Sequence, residues 1–232
     1  YIICIIFCLF FKFMSLSIII PCRNEENGLE KTVNEIIKNI KVNEYEILII
    51  DDFSSDLTPE ITKRLSEKIN NLKYFKNNSK GLGGAINKGI NEASKKNICF
   101  FMADMSDDVN DLNRYYEILI KDNLDAVLGS RFISGSKVFD YPKSKLILNR
   151  VFNYFVKIIF FSNYNDFTNA FKIYKLECLK DLKPLVSENF NIFLEMPLKV
   201  ISRNYEYKIT PINWTNRKEG EAKFKIKELS SK

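Results

Sequence analysis

Histidine is absent from the chain, and that single absence removes much of enzyme chemistry. A Ser-His-Asp triad, a Cys-His dyad, His-ligated zinc and a histidine general base are all excluded. Cysteine is sparse and scattered, at positions 4, 8, 22, 99 and 178 with no CxxC pair. An odd set of this kind reads as reduced core thiols in a cytosolic protein, not as a disulfide framework or a zinc site. Repeats and low-complexity segments are missing, as is any aromatic-rich basic strand of the RNA-binding type. Charge imbalance is slight: 35 Lys and Arg against 29 Asp and Glu give a formal net charge of +6. That suits anionic substrates or a membrane surface, and it is too weak and too dispersed to argue for nucleic acid.

A long apolar run is missing too. The amino-terminal "YIICIIFCLFFKF" is about thirteen residues, short of the roughly 20 that a spanning helix needs. It lacks the positive leader and small-residue cleavage site of a signal peptide. Met14 directly precedes "SLSIIIPCRNEE", a natural strand start. Residues 1–13 are therefore expected to be upstream or non-native sequence, the working protein beginning at Met14; the alternative is a short apolar membrane-anchoring tail. With 232 residues, 46% of them hydrophobic, the chain fits one large domain, or one domain with a modest extension.

What is present is an alternation. Short runs rich in Ile, Val and Phe are each followed by a helical pattern. "LSIIIPC" precedes "EENGLEKTVNEIIKNI", whose Leu29, Val33, Ile36, Ile37 and Ile40 fall on one helical face. "EILIIDD" precedes "TPEITKRLSEKI", with Pro59 suited to a first helical turn. "LKYFKN" leads to "GLGGAINKGINEA", "NICFFMAD" leads to "VNDLNRYYEILIK", and "DAVLGSRF" closes the series. Strands without polar alternation are buried on both faces, so the pattern predicts an α/β domain with a mainly parallel sheet flanked by helices.

In such sheets ligands bind beyond the carboxyl ends of the strands. Those ends read "PCRNEE", "DDFSSD", "ADMSDD" and "GSRF". A mouth lined with acids plus Arg23 and Arg131 suits a metal ion and an anionic substrate. Helix capping accounts for one acid per strand end; Asp51 with Asp52, and Asp104 with Asp107 and Asp108, exceed it.

The segments "SIIIPCRNEENGLEKTV", "EILIIDDFSSDLTPEI", "GLGGAINKGINEA", "FFMADMSDD" and "AVLGSRF", in this order, resemble family-two glycosyltransferases of the Rossmann-like GT-A fold. The later "NDFTNAFKIYKLECL", "FLEMPLKVISRNYEYKITPINW" and "NRKEGEAKF" resemble the polyprenyl-phosphate subgroup, the dolichol-phosphate mannose synthase-like enzymes. The likeness runs from about Leu16 to Phe224. It implies a nucleotide-binding part over about residues 14–132 and an acceptor- or membrane-facing part over about 133–232.

The resemblance also implies roles. Pro21, Arg23, Asn24 and Glu25 match the first nucleotide-contacting motif, in which a tyrosine is commoner than Arg23. Asp51 and Asp52 match acids that contact base and ribose, as pure acceptors can. Gly81, Gly83 and Ala85 match the turn that lets backbone approach the nucleotide, and Ala103 counts among the donor contacts. Asp104 matches the second acid of the DxD motif, which ligates Mg²⁺ or Mn²⁺ on the donor diphosphate; with Ser106 and phosphate oxygens it supplies the all-oxygen set a hard cation takes. Met102 stands where the first acid usually is, and a thioether cannot replace a carboxylate there. Asp107 and Asp108 are candidates to compensate, Asp108 serving equally as the cap of the next helix.

The implied reaction is inverting transfer of a hexose from a UDP- or GDP-sugar to a polyprenyl phosphate, whose oxygen is already ionised near neutral pH, so a strong base is dispensable. Asp166 matches an acid facing the reaction centre, and it also reads as a plain loop acid. Arg131, Arg217 and Lys223 match basic positions that neutralise phosphates. Glu195 reads as a structural acid at a helix start. A glycan or other hydroxyl acceptor, or a non-catalytic nucleotide-sugar-binding protein, are the competing readings.

The segment "KSKLILNRVFNYFVKIIFF", residues 143–161, has no Asp or Glu. Lys145, Asn149, Arg150, Asn153 and Lys157 recur at helical spacing and leave a broad Leu, Ile and Phe face. The pattern suits a helix lying at the headgroup boundary of an anionic membrane, although a core helix gives it too. The family likeness favours the interface, which makes the expected location the inner, cytoplasmic face of the membrane, peripherally bound.

Overall fold

The computed structural model describes residues 14–216. The reading of residues 1–13 and the positions of Arg217 and Lys223 lie outside the described residues. In chain order the strands are β1 (Ser15–Cys22), β2 (Glu44–Asp51), β3 (Leu72–Lys76), β4 (Asn97–Phe100), β5 (Ala126–Ser130), β6 (Lys137–Phe139), β7 (Lys172–Lys175), β8 (Tyr207–Pro211) and β9 (Asn213–Thr215). The helices are α1 (Leu29–Asn39), α2 (Thr58–Lys68), α3 (Leu82–Glu92), α4 (Val109–Lys121), α5 (Lys143–Ile159), α6 (Leu176–Asp181) and α7 (Ile192–Ser202).

Seven strands form one sheet in the order β3-β2-β1-β4-β7-β5-β8, and β6 pairs with β9 in a small ribbon. All neighbours in the large sheet are parallel except β7, which runs antiparallel to both β4 and β5. The mainly parallel α/β fold expected from the sequence is the one observed, with β7 its one reversed strand.

Burial explains the unbroken apolar runs. All eight residues of β1 are buried. Ile18, Ile20, Ile47 and Ile49 pack with α1, α2 and α4 on one side of the sheet. Ile19, Leu48 and Ile50 pack with α3 and α7 on the other. Each such side chain contributes about 1.5–3 kcal/mol by leaving water. On α1 the stripe is narrower than its spacing predicts: Leu29, Val33 and Ile36 are fully buried, whereas Ile37 stays exposed.

The chain runs outward through β1, β2 and β3, then returns to place β4 on the other side of β1. This reversal is the switch point of a doubly wound sheet, where strand ends diverge and leave a crevice. The acid-rich loops after β1, β2 and β4 all open there. Each contains a non-glycine residue with left-handed backbone: Asn24 (φ 53), Phe53 (φ 57) and Met105 (φ 59). Such strain costs of order 1–3 kcal/mol per residue and collects at functional sites.

Helix α5 inverts the usual amphipathic arrangement. Only Asn153 and Val156 are buried, while Ile147, Leu148, Val151, Tyr154, Phe155, Ile158 and Ile159 face outward. The polar Asn149 and Asn153 point at the protein because they bond its loops: Asn153 Oδ1 accepts from Phe167 N at 2.6 Å and Asn149 Oδ1 from Thr168 Oγ1 at 3.0 Å. The polar edge read from the sequence is thus partly an attachment edge. Among the described residues no helix is long and apolar enough to cross a membrane.

Candidate active site

The loops after β1 and β2 are zipped together by hydrogen bonds. Asn24 N donates to Ser54 Oγ (2.9 Å), Glu25 N to Thr58 Oγ1 (2.8 Å), and Asn24 Oδ1 accepts from Ser55 N (2.8 Å). Pro21 is buried in β1, and Arg23 and Asn24 are exposed just beyond its end. Asp52 N donates to Cys22 O at 2.8 Å, continuing the β1–β2 ladder into the mouth.

Asp51 and Asp52 are both buried. Asp51 Oδ1 accepts from Ser54 N at 3.1 Å and closes the left-handed turn at Phe53. Asp52 Oδ1 accepts from Gly81 N at 2.8 Å and from Asn77 Nδ2 at 2.9 Å. One acid therefore anchors the glycine turn, a partner its role in the sequence did not disclose.

The glycines are required by the protein's own backbone. Gly81 has φ +112, and a Cβ there would meet Glu188 O at 2.5 Å; a Cβ on Gly83 would meet Ser187 O at 1.8 Å. Gly83 N donates to Glu188 O at 2.8 Å. Segment 186–188 is in turn held by Glu195, whose carboxylate accepts from Val186 N and from Ser187 N at 2.8 Å. Glu195, at the start of α7, is thus a structural tie to the wall facing the glycine turn.

After β4 the chain makes a tight loop. Ala103 O accepts from Thr32 Oγ1 at 3.1 Å, and Gly28 lies so close that a Cβ would sit 2.5 Å from the same oxygen. Asp104 Oδ1 accepts from Ser106 N at 3.1 Å. Asp107 turns inward, accepting from Met102 N at 2.9 Å, and Asp108 caps α4 by accepting from Asn110 N. Burial pushes the Asp107 carboxyl up to about 8; the Met102 N–H and the Arg131 charge oppose this, while the Asp104 and Asp111 charges add to it. Strand β9 rests on this loop, Thr215 N donating to Ser106 O at 3.2 Å and Trp214 bridging Asp107.

Among the described residues no group of three acidic, His or Cys side chains forms a ready metal cage. What the chain offers at Asp104 and Ser106 is a sparse oxygen set. That fits a hard cation which takes its remaining ligands from phosphate and water, as Mg²⁺ does.

Arg131 and Asp166 meet directly. Arg131 N and Nε each donate to Asp166 Oδ2 at 2.8 Å, and Nη2 donates to Oδ1 at 2.7 Å. Both side chains are nearly inaccessible, 7% and 0% exposed. The guanidinium is also enclosed by the rings of Phe132, Tyr141 and Trp214, 5.4, 5.5 and 5.3 Å from their centroids. Burial works against its charge, but the Asp166 carboxylate more than offsets this and raises the Arg131 pKa further. Thr168 Oγ1 accepts from Arg131 Nη2 at 3.2 Å and thereby links the pair to Asn149 and Asn153 of α5. The sequence pointed to both residues separately; their pairing needed the fold, since 35 positions separate them.

The profile of Glycosyl transferase family 2 matches residues 17–183. The glycosyltransferase AglD of Haloferax volcanii is 24% identical over 87% of this chain, which spans 33% of that protein. The dolichol-phosphate mannosyltransferase of Pyrococcus furiosus is 31% identical over 59% of the chain, 39% of its own length. The dolichyl-phosphate β-glucosyltransferase of Dictyostelium discoideum is 27% identical over 86% of the chain and 66% of its own length. Much of the length of these relatives therefore lies beyond what this chain matches. Among solved structures, glucosyl-3-phosphoglycerate synthase from Mycobacterium tuberculosis superposes with TM-score 0.70 at 14% identity, over 93% of this chain and 75% of that one. The same enzyme has been crystallised with Mn²⁺, UDP and glucosyl-3-phosphoglycerate, and S. aureus TarS, TM-score 0.60 at 21% identity, with UDP-GlcNAc. With the profile covering most of the sequence and the strand-end acids gathered at the switch point, the chain belongs to glycosyl transferase family 2.

Proposed function

We propose that the protein is an inverting hexosyltransferase that moves a sugar from a UDP- or GDP-sugar to a polyprenyl phosphate at the cytoplasmic face of a membrane. The donor lies across the ends of β1, β2 and β4. Pro21, Arg23, Asn24 and Glu25 line one side of the nucleotide, and Asp51 and Asp52 accept from base and ribose. Both bonds that the Asp52 carboxylate accepts from its own chain use Oδ1, which leaves Oδ2 for the ligand. Gly81, Gly83 and Ala103 shape the floor. Asp104 and Ser106 would hold Mg²⁺ or Mn²⁺, whose chemistry is to neutralise the departing diphosphate.

Asp166 supports a phosphate acceptor. Both of its oxygens are taken by Arg131 N, Nε and Nη2 and its side chain is inaccessible, so it is not placed to take a proton from an acceptor hydroxyl. A lipid phosphate, which arrives ionised, needs no such base. In this reading Asp166 holds Arg131 beneath the acceptor side as a buried, paired charge, and Arg217 and Lys223 neutralise donor and acceptor phosphates.

The observation that carries the lipid is α5. Its outward face is a row of large apolar residues, Phe155 60% and Ile159 65% exposed, flanked by Lys143, Lys145 and Arg150, and its inward face is wired to the Arg131–Asp166 pair. Apolar area of this kind on a basic helix is suited to lie in the headgroup layer of an anionic bilayer.

The test compares polyprenyl phosphate with the unphosphorylated polyprenol, in vesicles, as acceptors of radiolabelled sugar. Label in the phosphorylated lipid alone supports the reading. Equal label in the alcohol, or label only in added glycans, would move the protein to hydroxyl acceptors, and donor binding without any product would make it a binding protein.

A further inference from the structure

Lys172 is the largest anomaly outside the strand-end loops. It sits in β7, is fully buried, and makes no ion pair among the described residues. Its ammonium instead donates to three backbone carbonyls: Phe167 O at 3.3 Å, Asn169 O, and Phe193 O at 3.3 Å. The rings of Tyr164 and Phe193 close the cage at 5.8 and 5.9 Å. An ammonium carries three donors and no acceptor, so three carbonyls match it one for one.

Two of those carbonyls belong to the loop that carries Asp166, just after it in the chain. The third belongs to the first turn of α7, and the sequence explains why it is open. Pro197 lies inside α7, four residues after Phe193, and has no N–H to give to Phe193 O. Lys172 supplies the missing donor. Two residues on from Phe193, Glu195 holds segment 186–188 against the glycine turn. One buried side chain therefore joins the acceptor-side loop to the wall of the donor turn.

We propose that Lys172 is a positioning residue, whose ammonium fixes the Asp166 loop on α7 and so sets the place of the Asp166–Arg131 pair. Burial lowers the lysine to about 7, a shift that the nearby Asp166 and Asp107 charges resist and the Arg131 charge adds to. The three carbonyls are the groups that keep such a charge tolerable away from water. The inference rests on the transferase reading only where turnover is measured.

Trp214, the single tryptophan, gives a readout that needs no turnover, because its ring lies 5.3 Å from the Arg131 guanidinium. In Lys172→Met the donors vanish while the length is kept. The expected result is a shifted Trp214 emission with retained far-ultraviolet circular dichroism. Sugar transfer drops roughly ten- to a hundredfold in kcat, as a misplaced reacting group does, and Lys172→Arg, which keeps charge and donors, recovers emission and most of the rate. Should the Met variant not fold, Lys172→Met with Pro197→Ala returns an N–H to Phe193 O and carries the same two readings. Emission and kcat equal to the wild type, with only a lower melting temperature, would overturn the proposal. A shifted emission in a protein whose wild type transfers no sugar would leave the positioning intact and refute the transferase reading instead.

Discussion

Replacing Asp166 by Asn is the sharpest perturbation of the buried pair. The carboxylate takes three hydrogen bonds from Arg131, at 2.8, 2.8 and 2.7 Å, and neither side chain has appreciable contact with water. The amide keeps the shape, removes the charge, and turns one acceptor into an NH₂ group facing a guanidinium N–H. Removing one partner of a buried pair costs about 3–5 kcal/mol because the other charge is left uncompensated. Here three ring faces remain around the cation, each worth about 0.5–2 kcal/mol, so the expected loss lies at the lower end, about 3 kcal/mol. For a chain of this size that is on the order of 10 °C in Tm. Urea unfolding followed by Trp214 fluorescence and by circular dichroism measures it. Arg131→Met should rescue part of the loss in the double variant, since the unpaired charge is then gone too. A loss under about 1 kcal/mol, or strictly additive single and double variants, would refute the claim that the pair is a coupled buried unit.

Other expectations follow from single contacts. Gly83→Ala should lower nucleotide affinity and stability together, because the new methyl has to displace Ser187 O, 1.8 Å from the Cβ position; wild-type titration and melting curves would contradict this. Asp104→Asn should leave the melting curve of the ligand-free protein near wild type while reducing metal-dependent transfer by at least about tenfold, the loss of a charge-assisted contact; undiminished turnover would remove Asp104 from the metal site. Phe155→Glu with Ile159→Glu should abolish cosedimentation with anionic vesicles without altering nucleotide binding, and persistent cosedimentation would move the membrane contact elsewhere. Glu46 should govern part of the acid stability. Burial alone would raise its pKa, but the Lys73 ammonium and bonds from Ser94 and Ser17 hold it below the ordinary 4.5. A depressed carboxylate contributes stability above its unfolded pKa and loses it as pH falls through the folded one. Below pH 4.5 the Glu46→Gln protein should therefore lose stability less steeply than the wild type, and parallel curves would refute the assignment.

The four parallel strands β1 to β4 and the helices between them were legible because each run is apolar throughout and ends in turn chemistry. The gathering of acids at the strand ends was legible for the same reason, but their partners were not: Asp108 caps α4, Asp107 turns in to Met102 N, and Asp51 and Asp52 hold Ser54 N and Gly81 N. Strand β7 was not, because "FKIYK" carries a lysine where a buried strand should have none, and only the three-carbonyl cage explains it. The glycine turn was read as room for a nucleotide, whereas its tightest contacts are with residues about a hundred positions later, a relation no local pattern reveals. In α5 the spacing of polar and apolar residues was correct, but spacing cannot say which face turns inward. That was decided by Asn149 and Asn153 meeting Thr168 and Phe167. The Arg131–Asp166 pair was equally hidden, being a product of β5 and the following loop folding onto the segment before β7.

The most direct measurement is the initial rate at which radiolabelled sugar from a panel of UDP- and GDP-sugars enters solvent-extractable lipid, using polyprenyl-phosphate vesicles with and without Mg²⁺ or Mn²⁺. The account predicts label in the lipid phase for one donor class, dependent on the cation and lost in Asp104→Asn. Label confined to water-soluble product, or no donor turned over under any of these conditions, would contradict it.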